Sequence, residues 1–180
     1  MIQTTLEGFE RGYPLIILFS LLLSYFMTHK IDFLLFAIVM GLSSLLNQVL
    51  KEYIFKPIMD EDEFPVLGKG TRPKGAKDCS DFIDPDNRIS SSYGMPSGHA
   101  QTSALFGTFM ILMIINERYS NKLKIMKCLF VFALTLAIMM SRVHFGCHTI
   151  QQVTVGGILG SIIGIIFFFN LRGIKTHLKL

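Results

Sequence analysis

The chain has 180 residues, 51% of them hydrophobic and only 17% charged, with 16 Phe, 10 Met and a net charge of +4. A soluble domain carries about a quarter charged residues because its surface meets water, so this composition excludes an ordinary soluble fold. The positive charge is small and dispersed, which argues against a nucleic-acid partner.

Before Tyr13 the sequence leans acidic, with Glu7 and Glu10 against Arg11, and the first apolar run lacks a small-residue cleavage site. No cleavable signal peptide is expected. Five segments carry no charge: Tyr13 to Met27, Phe33 to Leu50, Ser97 to Ile115, Cys128 to Met140 and Gln152 to Phe169. The first and fourth are short for a bilayer crossing, but uncharged neighbours and the stem of Lys127 extend them. The expected fold is an all-α polytopic membrane helix bundle of about five transmembrane helices, or six when an interfacial one is counted. It forms a single domain over residues 1–180.

Lys51 closes the second run and opens the one extended polar region, Lys51 to Met95. There Asp60-Glu61-Asp62-Glu63 precedes the basic stretch Lys69 to Lys74, and Asp78, Asp81, Asp84 and Asp86 follow. A solvated polar insertion over residues 57–95 is the expectation. Calcium binding is the sharper alternative, but the spacing does not match an EF-hand loop. The region is long for a tight connection and offers a place for a protein contact. The three cysteines, Cys79, Cys128 and Cys147, show no metal spacing. Cys128 reads as a small apolar residue in a span; Cys79 and Cys147 could pair, but nothing local enforces their approach, and unpaired thiols are the expectation.

Pro96-Ser97-Gly98-His99 opens the third run. Proline in a first helical turn, a serine cap and a glycine that admits close approach make an anion site at the helix N-terminus, with His99 placed to donate a proton to a departing oxygen. The bland alternative is a plain N-cap followed by a polar interfacial histidine. Ser141-Arg142 ends the fourth run, and His148 and Gln152 begin the fifth. Arg142 offers a rigid fork for phosphoryl oxygens. A neutral imidazole at His148 is a competent nucleophile toward phosphorus if an acceptor fixes its tautomer, and the Gln152 carbonyl can be that acceptor one turn later on a helix that extends back far enough. A zinc site from His99, His144 and His148 is weighed and disfavoured, because Arg142 would repel the metal; His144 reads as an interfacial hydrogen-bonding residue. Arg72-Pro73 could neutralise phosphoryl charge, and Lys51 could reach the same group, although charged residues at span ends are ordinary. Gly156, Gly160 and Gly164 form a small-residue stripe suited to close helix packing or, alternatively, facing lipid.

Together these residues resemble the type 2 phosphatidic acid phosphatase (PAP2) superfamily, whose motifs run Lys-x6-Arg-Pro, Pro-Ser-Gly-His and Ser-Arg-x5-His-x3-Asp. The second motif is intact at Pro96 to His99, and the third runs from Ser141 to Gln152 with glutamine in place of the terminal aspartate. The resemblance implies that His148 is the nucleophile, forming a phosphohistidine, and that His99 is the acid. It assigns phosphate holding to Lys51, Arg72, Ser97, Gly98 and Arg142, and it implies no metal and no cofactor. Lys51 fits the first motif only if an insertion over about Pro57 to Thr71 separates it from Arg72; Lys69 is nearer but worse spaced. The segment from His148 to Val153, with its glutamine, is similar to the dolichyl-diphosphate phosphatase branch, as is Gly94-Met95. The implied activity is metal-independent hydrolysis of a polyprenyl diphosphate, a membrane lipid phosphate. The alternatives are a phosphatidate-type lipid phosphomonoesterase, a glucose-6-phosphatase-like activity and a non-catalytic scaffold that keeps the fold.

If all five runs span, the N-terminus and both motif loops share one side. The other side collects Lys30, Arg118, Lys122, Lys124, Lys127, Arg172, Lys175 and Lys179 against Asp32 and Glu117, a net +6 that leaves −2 for the motif side. Basic loops stay cytoplasmic. The expected localisation is therefore a multi-pass membrane protein with its site facing the lumen or exterior, in an endoplasmic-reticulum-like membrane if the source is eukaryotic.

Overall fold

The computed structural model describes residues 2–59, 62–76 and 92–177. Cys79 and the acidic residues Asp60, Glu61, Asp78, Asp81, Asp84 and Asp86 lie outside the described residues, and with them most of the calcium alternative. Each uncharged run becomes one helix or most of one. Helix α1 covers Ile2–Thr28 and α2 covers Ile31–Val49; a π-helical turn at Leu50–Phe55 and the short α3, Lys56–Met59, continue α2. A two-residue hairpin follows, β1 Glu63–Phe64 pairing antiparallel with β2 Gly68–Lys69. Helices α4 (Gly98–Asn116), α5 (Asn121–His144) and α6 (Ile150–His177) complete the described chain. Among the described residues four stretches are long and apolar enough to cross a membrane: Ile31–Met59, Gly98–Asn116, Asn121–His144 and Ile150–Leu171. The apolar part of α1, Gly12–Thr28, is shorter. The fourth run thus extends at both ends, taking in Lys122, Lys124 and Lys127; Lys124 donates to the Ile115 carbonyl at 2.6 Å and the Lys127 ammonium sits over the Tyr119 ring, 3.6 Å from its centroid.

The turns are built by local chemistry. His29 ends α1 in the left-handed region, φ 53°, donating its N–H to the Tyr25 carbonyl. Ser120 caps α5 by accepting from the Leu123 N–H at 3.4 Å. Gly146 takes φ +65° in the turn from α5 to α6, a conformation that costs glycine nothing.

Two devices hold the bundle. At its apolar centre Phe36 of α2 stacks on Phe109 of α4, centroids 4.2 Å apart, and on Phe167 of α6 at 5.6 Å, with Tyr13, Ile17 and Leu21 of α1 packed beside them. Between α4 and α6 the glycine stripe faces protein, so the lipid-facing alternative is set aside. A Cβ on Gly156 would strike the Ser97 carbonyl oxygen, one on Gly160 the Gln101 carbonyl oxygen, and one on Gly164 would come within 2.9 Å of the Leu105 carbonyl oxygen. In hydrocarbon, where apolar burial against lipid gains little, such close backbone approach is what drives association. Helix α5 is peripheral: Leu129, Phe130 and Phe132 are among its exposed side chains, as suits a helix that meets lipid.

Candidate active site

The first, second and third motifs lie on four elements and the loops before α4 and α6, and the up-and-down threading brings them to one end of the bundle. A cavity of about 510 Å3 there is lined by Lys51 from the π-helical turn, Arg72, Gly98 and His99 from the start of α4, and His148 from the turn before α6. The wall is completed by Pro14 of α1, Ser43, Ser44, Asn47 and Gln48 of α2, Glu52, Ser92, and Gln101 and Thr102 of α4. Ser97 and Arg142 do not line the open cavity. They are buried beside it, at 0% and 1% exposure, with Ser97 adjoining Gly98 and the Arg142 charge acting on His148.

His148 is held by a set of mutually dependent bonds. It lies two residues before α6, so the helix does not extend back as far as His148. Thr149 instead accepts the Gln152 N–H on its Oγ1 at 3.3 Å. The backbone N–H groups of Cys147 and His148 both donate to the Arg142 carbonyl, fixing the turn. Gln152 is fully buried, and its Nε2 donates to the carbonyls of Lys69 (3.1 Å), Gly70 (3.3 Å) and Thr71 (2.7 Å). With the amide nitrogen committed to carbonyls, the Gln152 Oε1 faces His148 Nδ1 at 3.0 Å, and an oxygen acceptor there requires Nδ1 to carry the proton. Nε2 is left with its lone pair. Burial pushes the His148 pKa well below 6.5; the Arg72 charge pushes it further, the Gln152 hydrogen bond opposes, and Lys51 and Arg142 add smaller downward pushes. The imidazole is therefore neutral at physiological pH.

Arg72 donates through Nε to the Ser92 carbonyl at 3.0 Å, through one terminal nitrogen to the Cys147 carbonyl at 3.1 Å and through the other to Ser92 Oγ at 2.7 Å. Its fork is thus anchored to the residue preceding His148. Lys51 is buried and lines the cavity, whereas Lys69 is exposed and lies 4.0 Å from Glu63, so the geometry favours Lys51 as the first-motif lysine. The π-helical turn, a feature that recurs at functional sites, is where Lys51 leaves the regular helix.

The second motif departs from its expected local geometry. Pro96 precedes the helix and does not occupy its first turn, and Ser97, the N-cap residue, makes no side-chain cap. Its Oγ is buried without a hydrogen-bond partner among the described residues, while its N–H donates to the Gln152 carbonyl at 3.0 Å. The start of α4 is held from α2 instead: Asn47 donates to the Pro96 carbonyl (3.4 Å) and to Gln101 Oε1 (2.8 Å), and Gln101 donates to the Ser43 carbonyl (2.9 Å) and hydroxyl (2.8 Å). This buried network locks the start of α4 against α2, and the Ser97 hydroxyl stays buried beside the cavity. Asn47, Gln101 and Ser92 were missed in the sequence. The only available signal was amide side chains inside apolar runs, which are costly in a membrane unless paired.

One further expectation is corrected. Cys147 is disulfide-bonded, against the expectation of unpaired thiols, and Cys128 is free. His144 is exposed, its ring edge-on to Phe145 at 5.1 Å, and among the described residues no three His, Cys, Asp or Glu side chains gather as a metal cluster would.

Comparison with known proteins agrees with the motifs. A family model described as PAP2 superfamily matches residues 32–173. The chain is 29% identical over 172 residues to the dolichyldiphosphatase of Saccharomyces cerevisiae, covering 93% of this chain and 63% of that protein. It is 38% identical over 80 residues to dolichyldiphosphatase 1 of Dictyostelium discoideum, covering 43% of this chain and 35% of that one. It thus spans between about a third and two thirds of the length of these relatives. Among solved structures, a transmembrane PAP2 type phosphatidylglycerolphosphate phosphatase from Bacillus subtilis superposes with a TM-score of 0.58 at 25% identity, covering 92% of this chain and 68% of that one.

Proposed function

This chain belongs to the PAP2 superfamily, and from that membership we propose that it is a lipid phosphatase that hydrolyses a polyprenyl diphosphate of the dolichyl type through a phosphohistidine. The observation that carries the reading is the placement of His148: a buried imidazole with Nδ1 engaged by Gln152, its pKa pushed down by burial and by Arg72, sharing a cavity with two cations and a second histidine. That is what a nitrogen nucleophile for an anionic phosphorus centre requires.

In the proposed reaction the His148 Nε2 lone pair forms a bond to phosphorus while the bond from phosphorus to the leaving oxygen breaks, and protonated His99 gives its proton to that oxygen. Arg72, Arg142, Lys51, the Gly98 N–H and the Ser97 hydroxyl take up the charge on the phosphoryl oxygens. The otherwise unsatisfied Ser97 Oγ fits this role, since a buried hydroxyl without a protein partner is placed to bond a ligand. Water then gives a proton to His99 and attacks phosphorus, the phosphorus–nitrogen bond breaks, and inorganic phosphate leaves. A lipid substrate suits the setting: at about 0.8 kcal/mol per buried CH2, a long tail stays in hydrocarbon while its phosphate reaches the interface.

The diphosphate preference rests on the dolichyldiphosphatases matched here and on Gln152. A monoester reading, phosphatidate-like lipid phosphates, is favoured by the solved phosphatidylglycerolphosphate phosphatase. The chain is an integral membrane protein, and we place its site on the lumenal or exterior face, in the endoplasmic reticulum as for dolichyl chemistry. The disulfide at Cys147 supports that side, because disulfides persist in oxidising compartments, and so does the basic charge at the opposite end. The polar insertion at 57–95 remains part of the same domain in this reading and is the surface we assign to any protein contact.

Phosphate release by purified protein in lipid, without added metal, compares dolichyl diphosphate, dolichyl monophosphate, phosphatidate and glucose 6-phosphate. Turnover of the polyprenyl diphosphate in preference to the others is expected. Efficient phosphatidate turnover with negligible diphosphate turnover would give the monoester reading, and no turnover of any substrate would leave a scaffold.

A further inference from the structure

The family pattern places a carboxylate where this chain has Gln152, and the structure shows what the amide does that a carboxylate cannot. Its oxygen serves His148 and, at 3.3 Å, the Thr149 N–H. Its two N–H groups are shared among three consecutive carbonyls, those of Lys69, Gly70 and Thr71, and the next residue is Arg72. Its backbone carbonyl accepts from Ser97. One side chain and its peptide thus touch all three motif segments. A carboxylate here would accept only, and it would face three carbonyl oxygens whose negative ends point at it.

The surroundings are shaped to this amide. A Cβ on Gly94 would lie 2.6 Å from Gln152 Nε2 and 2.7 Å from Oε1, so the backbone at Gly94 passes where no side chain fits. The Gly70 carbonyl that accepts from Gln152 also accepts from the Met95 N–H at 3.0 Å, tying the segment before Arg72 to the segment before Ser97.

We propose that Gln152 is a positioning residue for Arg72 as well as for His148: its amide donors fix the Lys69–Thr71 backbone and so set where the phosphate-holding guanidinium stands relative to the nucleophile. The claim rests on the phosphatase reading above. It differs from a role confined to the His148 tautomer, which needs only the amide oxygen.

The test is Gln152→Glu in the full chain in lipid nanodiscs. The variant keeps an acceptor for His148 and loses the donors to the loop. The readout is the inhibition constant of inorganic orthophosphate, measured for Gln152→Glu, Arg72→Ala and the double variant. Gln152→Glu is expected to weaken orthophosphate by about tenfold, and the double variant to bind no worse than Arg72→Ala alone, because both changes disable one contact. Wild-type orthophosphate affinity in Gln152→Glu, or losses that multiply in the double variant, would overturn the proposal. Where the glutamate variant does not fold, Gly94→Ala carries the test, since its methyl displaces the amide without changing it; the same loss supports the proposal and unchanged affinity overturns it. His148→Ala separates the two claims. Turnover that survives in His148→Ala removes the phosphatase mechanism, whereas loss of turnover there with unchanged orthophosphate affinity in Gln152→Glu removes only the positioning role.

Discussion

Replacing Gly160 with alanine tests how the bundle brings its two histidines together. The added Cβ would overlap the Gln101 carbonyl oxygen and lie 2.8 Å from the Gln101 carbonyl carbon and 2.9 Å from the Leu105 nitrogen. All three atoms are α4 backbone, so no side chain can rotate aside and the helices must part. Overpacking costs about 1–3 kcal/mol, and backbone on both sides puts this site at the upper end, about 3 kcal/mol. Alanine returns about 1 kcal/mol of helix propensity, leaving a net loss of about 2 kcal/mol. For a chain of this size that lowers Tm by about 4–8 °C. Gly41 in α2 is the internal control, because a Cβ there meets nothing within 4 Å and only the propensity gain remains. Thermal melts followed by far-UV circular dichroism in the same detergent or lipid should show Gly160→Ala melting below wild type and Gly41→Ala at or above it. Equal melting of the two variants would refute the account of α4–α6 packing. One turn nearer the site, Gly156→Ala presses on the Ser97 carbonyl and should depress turnover as well, by displacing Ser97 and Gly98 from His148.

Two other outcomes follow from the site. Because the His148 pKa is held well below 6.5, chiefly by burial and then by Arg72, the imidazole proposed as nucleophile stays neutral as pH falls through 6.5, so the acid limb of kcat/KM should lie below that value; a limb centred at 6.5 would contradict the burial argument. The sign for stability is opposite: the unfolded chain binds a proton below 6.5 that folded His148 refuses, so melts should move down as pH falls under 6.5 and be insensitive to this residue above it. Lys51→Ala should lose turnover through weaker phosphate holding, whereas Lys69→Ala, which removes an exposed side chain, should change turnover little; the reverse result would reassign the first-motif lysine.

Much of this was legible in the sequence, for identifiable reasons. Apolar runs report helices because hydrocarbon admits no other open backbone, and polar clusters at run ends report the face that carries chemistry. The stripe of Gly156, Gly160 and Gly164 was legible as a packing surface, though its partner α4 was not. What stayed hidden depends on long-range geometry. Gln152 meets carbonyls more than 80 residues away in sequence, so local spacing could suggest its bond to His148 and not its hold on the Arg72 segment. Ser97 reads as a cap from its neighbours alone; that its hydroxyl makes no cap, and that Asn47 of α2 holds the Pro96 carbonyl beside it, no local pattern reports. The π-helical turn at Lys51 carries no composition signal: from Lys51 onward the sequence reads as the start of a polar region, whereas the helical path continues through Leu50–Phe55 to Met59. The bond at Cys147 could not be foreseen because nothing near it in sequence dictates a partner.

The central claim is that His148 attacks phosphorus. The direct measurement is a rapid acid-free quench of purified protein turning over a lipid phosphate, followed by mass spectrometry of the peptide that contains His148, in wild type and in His148→Ala. The account predicts a phosphoryl group on His148 that is lost in acid and stable in alkali, and no turnover in the variant. Undiminished turnover in His148→Ala, or a phosphoryl group carried by any other residue, would contradict it.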